Sequence, residues 1–213
     1  MTSRYAELAF TPAIRARQET AGSRRSYDRR AAESTGEDDV LGDDEAAFIA
    51  ARDSFYIATV TADGWPYVQH RGGPAGFLRV TGPRTLAFAD YAGNKQYIST
   101  GNVDGDGRVS LFLVDYPNKR RLKVLGRARL VERGDPAFPE AVLDRGYDAP
   151  VERAWTIEVA AFDWNCPKHI TPRYTEAEVA PNLNRLLSRI HELEAQLELM
   201  AATRPLPHAP NER

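Results

Sequence analysis

The chain has 213 residues, 42% of them hydrophobic and 27% charged, with a formal net charge of −2 and a single cysteine. Such a balance fits an ordinary globular chain with one sizeable core, and it offers no global attraction for nucleic acid or an anionic membrane. One cysteine excludes an intrachain disulfide, no run approaches the ~18 apolar residues of a membrane span, and no signal-peptide core is evident, so a reducing, cytoplasmic setting is the expectation.

Residues 1–42 are polar, with Arg24, Arg25, Arg29 and Arg30 ahead of the acidic Glu37, Asp38 and Asp39. No long apolar stripe runs through them. The expectation is an extended arm lying over the domain or a partner subunit, or a disordered one, with room for helical turns around Pro12–Glu19 and Tyr27–Glu33. A short helix follows, with Asp43 as its cap, Asp44 and Glu45 at its positive end, and Phe48 and Ile49 on one apolar side.

From Phe55 the rhythm becomes β. Phe55–Thr61 is rich in β-branched and aromatic residues, and Ala62-Asp63-Gly64 reads as a hairpin turn. A strand from Pro66 bends at Gly72-Gly73-Pro74 and resumes over Phe77–Val80; Gly82-Pro83 then turns the chain into Thr85–Asp90. Gly93–Thr100 breaks the pattern and is expected as a brief helix with Lys95 in its first turn. A cation there opposes the helix dipole unless an anion is bound beside it; a solvated surface lysine is the plain alternative.

Asp104-Gly105-Asp106-Gly107 reads as a turn, without the closing acidic residue of a calcium loop. Arg108–Asp115 is an apolar strand. Arg121–Glu132 is a longer one, with Leu122, Val124, Gly126, Ala128 and Leu130 on one face and Arg121, Lys123, Arg127 and Arg129 on the other. A loop with a short helix around Pro139–Arg145 leads to the last strand, Trp155–Phe162. Beyond it, Thr175-Glu176-Ala177-Glu178 is a capping box, with Pro181 expected to interrupt or restart the helix. Leu183, Leu186, Ile190, Leu193, Leu197 and Met200 then recur at heptad spacing. The chain thus divides into an arm (1–42), a barrel (43–170), a C-terminal helix (171–203) and a tail expected to be disordered (204–213).

Short strands, Gly/Pro turns and one basic interruption suggest a small barrel. The segments ADGWPYV, QHRGGPAGF, AFADYAGNKQYI, VSLFLVDYPNKRRLKVLGRARLV and DWNCPKHI together resemble the pyridoxamine 5′-phosphate oxidase-like, FMN-binding split barrels, from about Phe48 to Ala160. The resemblance implies a mainly β fold with peripheral helices (α+β), and FMN held at the interface of a homodimer. It assigns the phosphate to Arg79, Asn94, Lys95 and Gln96. Gln69, His70 and Arg71 fall on the strand beside the isoalloxazine, Phe88 and Ala89 where the family's third strand touches it, and Arg121 at a polar cofactor contact. A cation at Arg71 or Arg121 would favour the reduced, anionic flavin.

Trp164 and His169 are the catalytic candidates, an aromatic and a histidine flanking a proline-stiffened turn. The competing reading is a Trp-anchored corner that closes the barrel. Cys166 and His169 alone are half a metal site, so no metal is expected. The chain departs from true pyridoxamine phosphate oxidases in the short Gly134–Glu152 region and the heptad C-terminus, so vitamin B6 oxidation is not implied. What is implied is an FMN-binding oxidoreductase with an unassigned small-molecule substrate or electron donor. The alternatives are a flavin carrier or sensor without turnover, or the same barrel holding haem or F420.

Overall fold

The computed structural model describes residues 3–32, 35–164 and 166–202. It divides into two units, residues 1–170 and 171–213, taken separately below.

The first unit is built on seven antiparallel strands: β1 (Ser54–Val60), β2 (Pro66–Gly72), β3 (Arg79–Gly82), β4 (Thr85–Tyr91), β5 (Arg108–Asp115), β6 (Arg120–Glu132) and β7 (Val151–Trp164). Their order across the sheet is β2-β1-β5-β6-β7-β4-β3. The two hydrogen-bonding edges are therefore β2 and β3. The sheet is rolled all the same, because Phe55 of β1 meets Phe88 of β4 at 5.3 Å between ring centres, and Arg71 of β2 pairs with Asp90 of β4 at 2.7 Å. Side chains from opposite ends of the sheet thus share one interior. This is a mainly β fold with peripheral helices, a barrel split between β2 and β3.

The interior is aromatic. Phe55 stacks on Phe77 and Phe88 on Trp155, each at 5.5 Å, and all four are almost fully buried. Rings at such spacing add roughly 0.5–1.5 kcal/mol per pair beyond their buried area. β4 is buried on both sides: Leu86 and Phe88 face the barrel, while Ala87 and Ala89 pack on a second cluster with Phe138, Val142 and Ala154. The bend at Gly72-Gly73-Pro74 proves to be more than a kink. The chain leaves β2 at one edge there and re-enters the sheet as β3 at the other.

A register shift lies where β6 meets β7. Leu125 pairs with Ala161 and Gly126 with Val159, so Ala160 is the extra residue of a bulge. Its freed carbonyl accepts a hydrogen bond from the Asp39 backbone N–H, and the Asp39 carboxylate accepts one from the Phe162 N–H. Here the N-terminal arm is fastened to the barrel. The arm forms three short helices, α1 (Ser3–Ala9), α2 (Pro12–Thr20) and α3 (Arg24–Ala32), the last two where helical turns were expected. Ala6 of α1 is fully buried against β7, and Tyr5 lies under Lys123 at 4.9 Å.

Helix α4 (Asp43–Ala50) begins one residue earlier than the sequence suggests: Gly42 is its cap, and its N–H donates to the Glu45 carboxylate at 3.0 Å. Gly76, at a φ of +78°, lies against the end of this helix, where an added Cβ would come 2.9 Å from the Ala50 carbonyl. Helix α5 (Ile98–Gly105) is displaced from the expected Gly93–Thr100. Lys95 and Tyr97 have φ of +58° and +51°, which no right-handed helix accommodates, so residues 93–97 form a loop. Asp104 and Gly105 belong to the end of α5 rather than to a turn. The helix expected at Pro139–Arg145 shrinks to a single 3-10 turn, Glu140–Val142.

In the second unit, α6 (Glu176–Ala202) is one continuous helix. Its capping box forms as expected. The Thr175 N–H donates to the Glu178 carboxylate at 2.7 Å, and the Glu178 N–H donates to the Thr175 hydroxyl at 3.3 Å. Pro181 lies inside the helix without ending it. The heptad residues Leu183 to Met200 are all exposed. Residues 204–213, where a disordered tail was expected, lie outside the described residues, as does Thr203.

Candidate functional site

Five of the predicted cofactor residues, Gln69, Arg71, Asn94, Lys95 and Gln96, line one cavity of about 60 Å³. It opens between β2, the end of β4, the 93–97 loop and the first turn of α5. Alternation along β2 points Tyr67, Gln69 and Arg71 to one side and Val68 and His70 to the other, where His70 packs edge-on against Tyr56. The Ser99 hydroxyl donates to Gln69 Oε1 at 2.6 Å, and Asn102 Nδ2 donates to the Thr59 hydroxyl at 2.9 Å. These two bonds tie α5 to β2 and β1 and orient the Gln69 amide in the cavity wall.

Charge at the base of the cavity is shared between opposite signs. Asp90, 5% exposed, is held by Arg71 at 2.7 Å and by Arg153 at 3.5 Å. Arg71 also lies over the Trp155 ring at 5.2 Å, and Arg153 over Tyr97 at 5.0 Å. Arg153 reaches Glu152 at 3.4 Å and Glu132 at 3.3 Å. Both lining carboxylates, Asp90 and Glu152, are thus already paired. Lys95 is the lining cation without an ion-pair partner among the described residues. It sits on the strained loop, where two left-handed non-glycine residues two positions apart cost of order 1–3 kcal/mol each.

Several buried donors around the cavity are unsatisfied. Arg71 Nε, Arg79 Nε and Tyr91 Oη are buried with no hydrogen-bond partner among the described residues. A buried polar atom left unpaired costs about 1–3 kcal/mol, so donors gathered in this way are suited to an acceptor from outside the chain. Burial pushes the Tyr91 phenol above its ordinary value, with Asp144 and Tyr147 adding to the shift and Arg79 opposing it. The hydroxyl therefore keeps its proton and remains a donor.

The other predicted residues lie elsewhere. Arg79, the first residue of β3, is half-buried and acts on Tyr91 through its charge, without lining the cavity. Phe88 is a core ring and Ala89 faces the second cluster; neither borders the cavity. Arg121 lines a separate cavity of about 420 Å³ with Arg120, Trp164 and Pro167, and donates to the Cys166 carbonyl at 3.1 Å. Trp164 is a packing residue here. Its Nε1 donates to Glu45 at 2.5 Å, and its ring meets Phe48 edge-on at 4.8 Å, which fastens α4 to the end of β7. His169 is exposed, at a φ of +65°; Asn165 lies outside the described residues. Among the described residues no group of three His, Cys, Asp or Glu side chains is placed to hold a metal ion, and no helix is long and apolar enough to cross a membrane.

Asp90, Tyr91, Tyr97, Ser99, Glu152 and Arg153 were not anticipated. Asp90 did leave a signal: a lone carboxylate closing the otherwise apolar run Leu86-Ala87-Phe88-Ala89, where a charge is retained only if it is paired.

Residues 41–161, more than half of the chain, match the family described as pyridoxamine 5′-phosphate oxidase. No curated protein matches the chain. Among solved structures, HupZ of Group A Streptococcus is 17% identical, with a TM-score of 0.47 over 63% of this chain and 99% of that one. An FMN-binding protein of Syntrophomonas wolfei is 12% identical, with a TM-score of 0.43 over 56% of this chain and 81% of its own. An F420 reductase is 21% identical, with a TM-score of 0.42 over 58% and 98%. The family match, not these partial likenesses, carries the assignment.

Proposed function

This chain belongs to the pyridoxamine 5′-phosphate oxidase family, and from that premise we propose that it is an FMN-dependent oxidoreductase acting on a small molecule. The observation that carries the reading is the cavity at the 93–97 loop, where Lys95, Asn94 and Gln96 meet unsatisfied donors from Arg71 of β2 and Tyr91 of β4. Lys95 Nζ and the Tyr91 hydroxyl would hold the phosphate, with the backbone of the loop supplying further N–H donors and Arg79 adding charge. Gln69, fixed by Ser99, presents an amide to a polar ring edge. Bound FMN would supply the electron transfer, and the protein binding, orientation and electrostatics.

At about 60 Å³ the cavity is well below the roughly 300–1,000 Å³ of a pocket that encloses a drug-sized ligand, so it would take a phosphate and not a three-ring system. The isoalloxazine would therefore lie across its mouth and need a cover from elsewhere. A second copy of the chain supplies that cover most economically, so the functional unit is read as a homodimer. The net charge of −2 argues against nucleic acid as a partner, and the single cysteine supports a reducing, cytoplasmic setting.

The test is a titration of purified protein with FMN and with riboflavin, which lacks the phosphate. FMN binding the more tightly by tenfold or more, about 1.4 kcal/mol, is the expected result. Equal affinities would refute the phosphate site, and absence of flavin binding would refute the cofactor. Stopped-flow reduction by NADH or NADPH then separates an enzyme from a carrier or sensor that holds flavin without turnover.

A further inference from the structure

We infer that α6 is an interaction surface for a second copy of itself, pairing as a parallel, in-register two-stranded coil. The seam is read from the helix alone; its persistence rests on the homodimer proposed above, and not on which cofactor that dimer holds. Leu183, Ile190 and Leu197 occupy one heptad position, a, and Leu186, Leu193 and Met200 the other core position, d. All six are between 42% and 69% exposed in the single chain. An apolar seam of strict 3–4 spacing, exposed along its length, has the form of a surface that another helix covers. β-branched Ile190 at a with leucines at Leu186 and Leu193 at d is the arrangement that favours two strands.

The flanking charges select both the partner and its direction. In a parallel pair, position g of one helix faces position e of the next heptad on the other, so Arg189 faces the partner's Glu194, twice over by symmetry. In an antiparallel pair g faces g and e faces e, which sets Arg189 against Gln196 and leaves Glu194 against Leu187. Only the parallel arrangement satisfies both charges. Within one chain Arg189 already holds Glu192 at 2.8 Å, both side chains being more than half exposed, so the partner's carboxylate adds to an exposed pair. Neither contact requires burying a charge. The pairing segment spans fewer than three heptads and is too short to persist as an isolated peptide. It is sustained where two chains are already held together, by effective concentration.

The experiment uses the full chain with Cys166→Ser, so that one introduced cysteine is the only thiol. Leu186→Cys and Met200→Cys place thiols at core positions near opposite ends of the seam, ~21 Å apart at 1.5 Å per residue. Ser188→Cys, on the outer face, is the control. Under mild oxidation both core variants should form covalent dimers about tenfold faster than the control, because the coil raises the local thiol concentration. Arg189→Glu should slow the Leu186→Cys reaction, and adding Glu194→Arg should restore it. Light scattering should give the mass of two chains.

Equal rates for core and outer positions would overturn the inference. So would preferential crosslinking of Leu186→Cys chains to Leu197→Cys chains, which reports an antiparallel pair, or a mass of three chains or more. A flavin-binding protein that dimerises while both core thiols stay unlinked would refute the coil and leave the proposed function standing. Rapid crosslinking without flavin binding would do the reverse.

Discussion

Replacing Lys95 with alanine is the most direct test of the cavity. Lys95 has a φ of +58°, and alanine has the same left-handed cost as lysine, so the strain of the loop is unchanged. The side chain is exposed and makes no ion pair among the described residues, so stability should stay within about 0.5 kcal/mol. Binding should not. A hydrogen bond to a charged group is worth about 1.5–3 kcal/mol, and exposure of this lysine to solvent and salt places it at the lower end. About 1.4 kcal/mol is tenfold in affinity, and that is the expected loss for FMN. Titration by quenching of flavin fluorescence, run beside riboflavin, isolates the phosphate. FMN affinity should fall about tenfold while riboflavin affinity holds. A variant that binds FMN as tightly as the parent would refute the reasoning, and an equal loss for both flavins would mean that Lys95 touches the ring system and not the phosphate.

Arg71→Met should lower stability by up to the roughly 3–5 kcal/mol of a broken buried pair, less what Arg153 recovers, because Asp90 stays buried. Adding Asp90→Asn should restore most of it in urea unfolding, and a single variant as stable as the parent would dismiss the pair. Gly126→Ala should cost about 1–3 kcal/mol, since its Cβ would sit 2.6 Å from the Glu158 carbonyl at the bulge; an unchanged melting temperature would contradict this. The Asp115 carboxyl is pushed up by burial but drawn further down by hydrogen bonds from the Asn118 side chain and backbone and by Arg52, so its net shift is below the ordinary value. A lowered folded value means its stabilisation is present above the unfolded pKa, near 3.9, and is lost as pH falls through the folded one. Urea midpoints should therefore drop more steeply below pH 4 in the parent than in Asp115→Asn, and parallel curves would count against the linkage.

What the sequence determined by itself is whatever depends on local pattern. Strand β5 has the predicted ends because alternation and turn residues act over a few neighbours, and the capping box at Thr175 is a matter of four consecutive residues. The family, and with it the mainly β fold, was legible for a similar reason, since its motifs are runs of adjacent residues. That Gln69, Arg71, Asn94, Lys95 and Gln96 line one cavity was anticipated only through the resemblance, and no spacing rule brings β2 to the 93–97 loop.

Tertiary structure decided the rest. Residues 93–97 are not helical, because the loop bends around the cavity through two left-handed residues that no propensity favours. Phe88 became a core ring and Trp164 an anchor for α4, because each found its partners on elements far away in the chain. The pairing of Arg71 with Asp90 joins strands from opposite sides of the sheet order. It exists only once the sheet has rolled. Charge in a buried site is settled by which ions become neighbours at a few ångströms, and sequence separation carries no such distance.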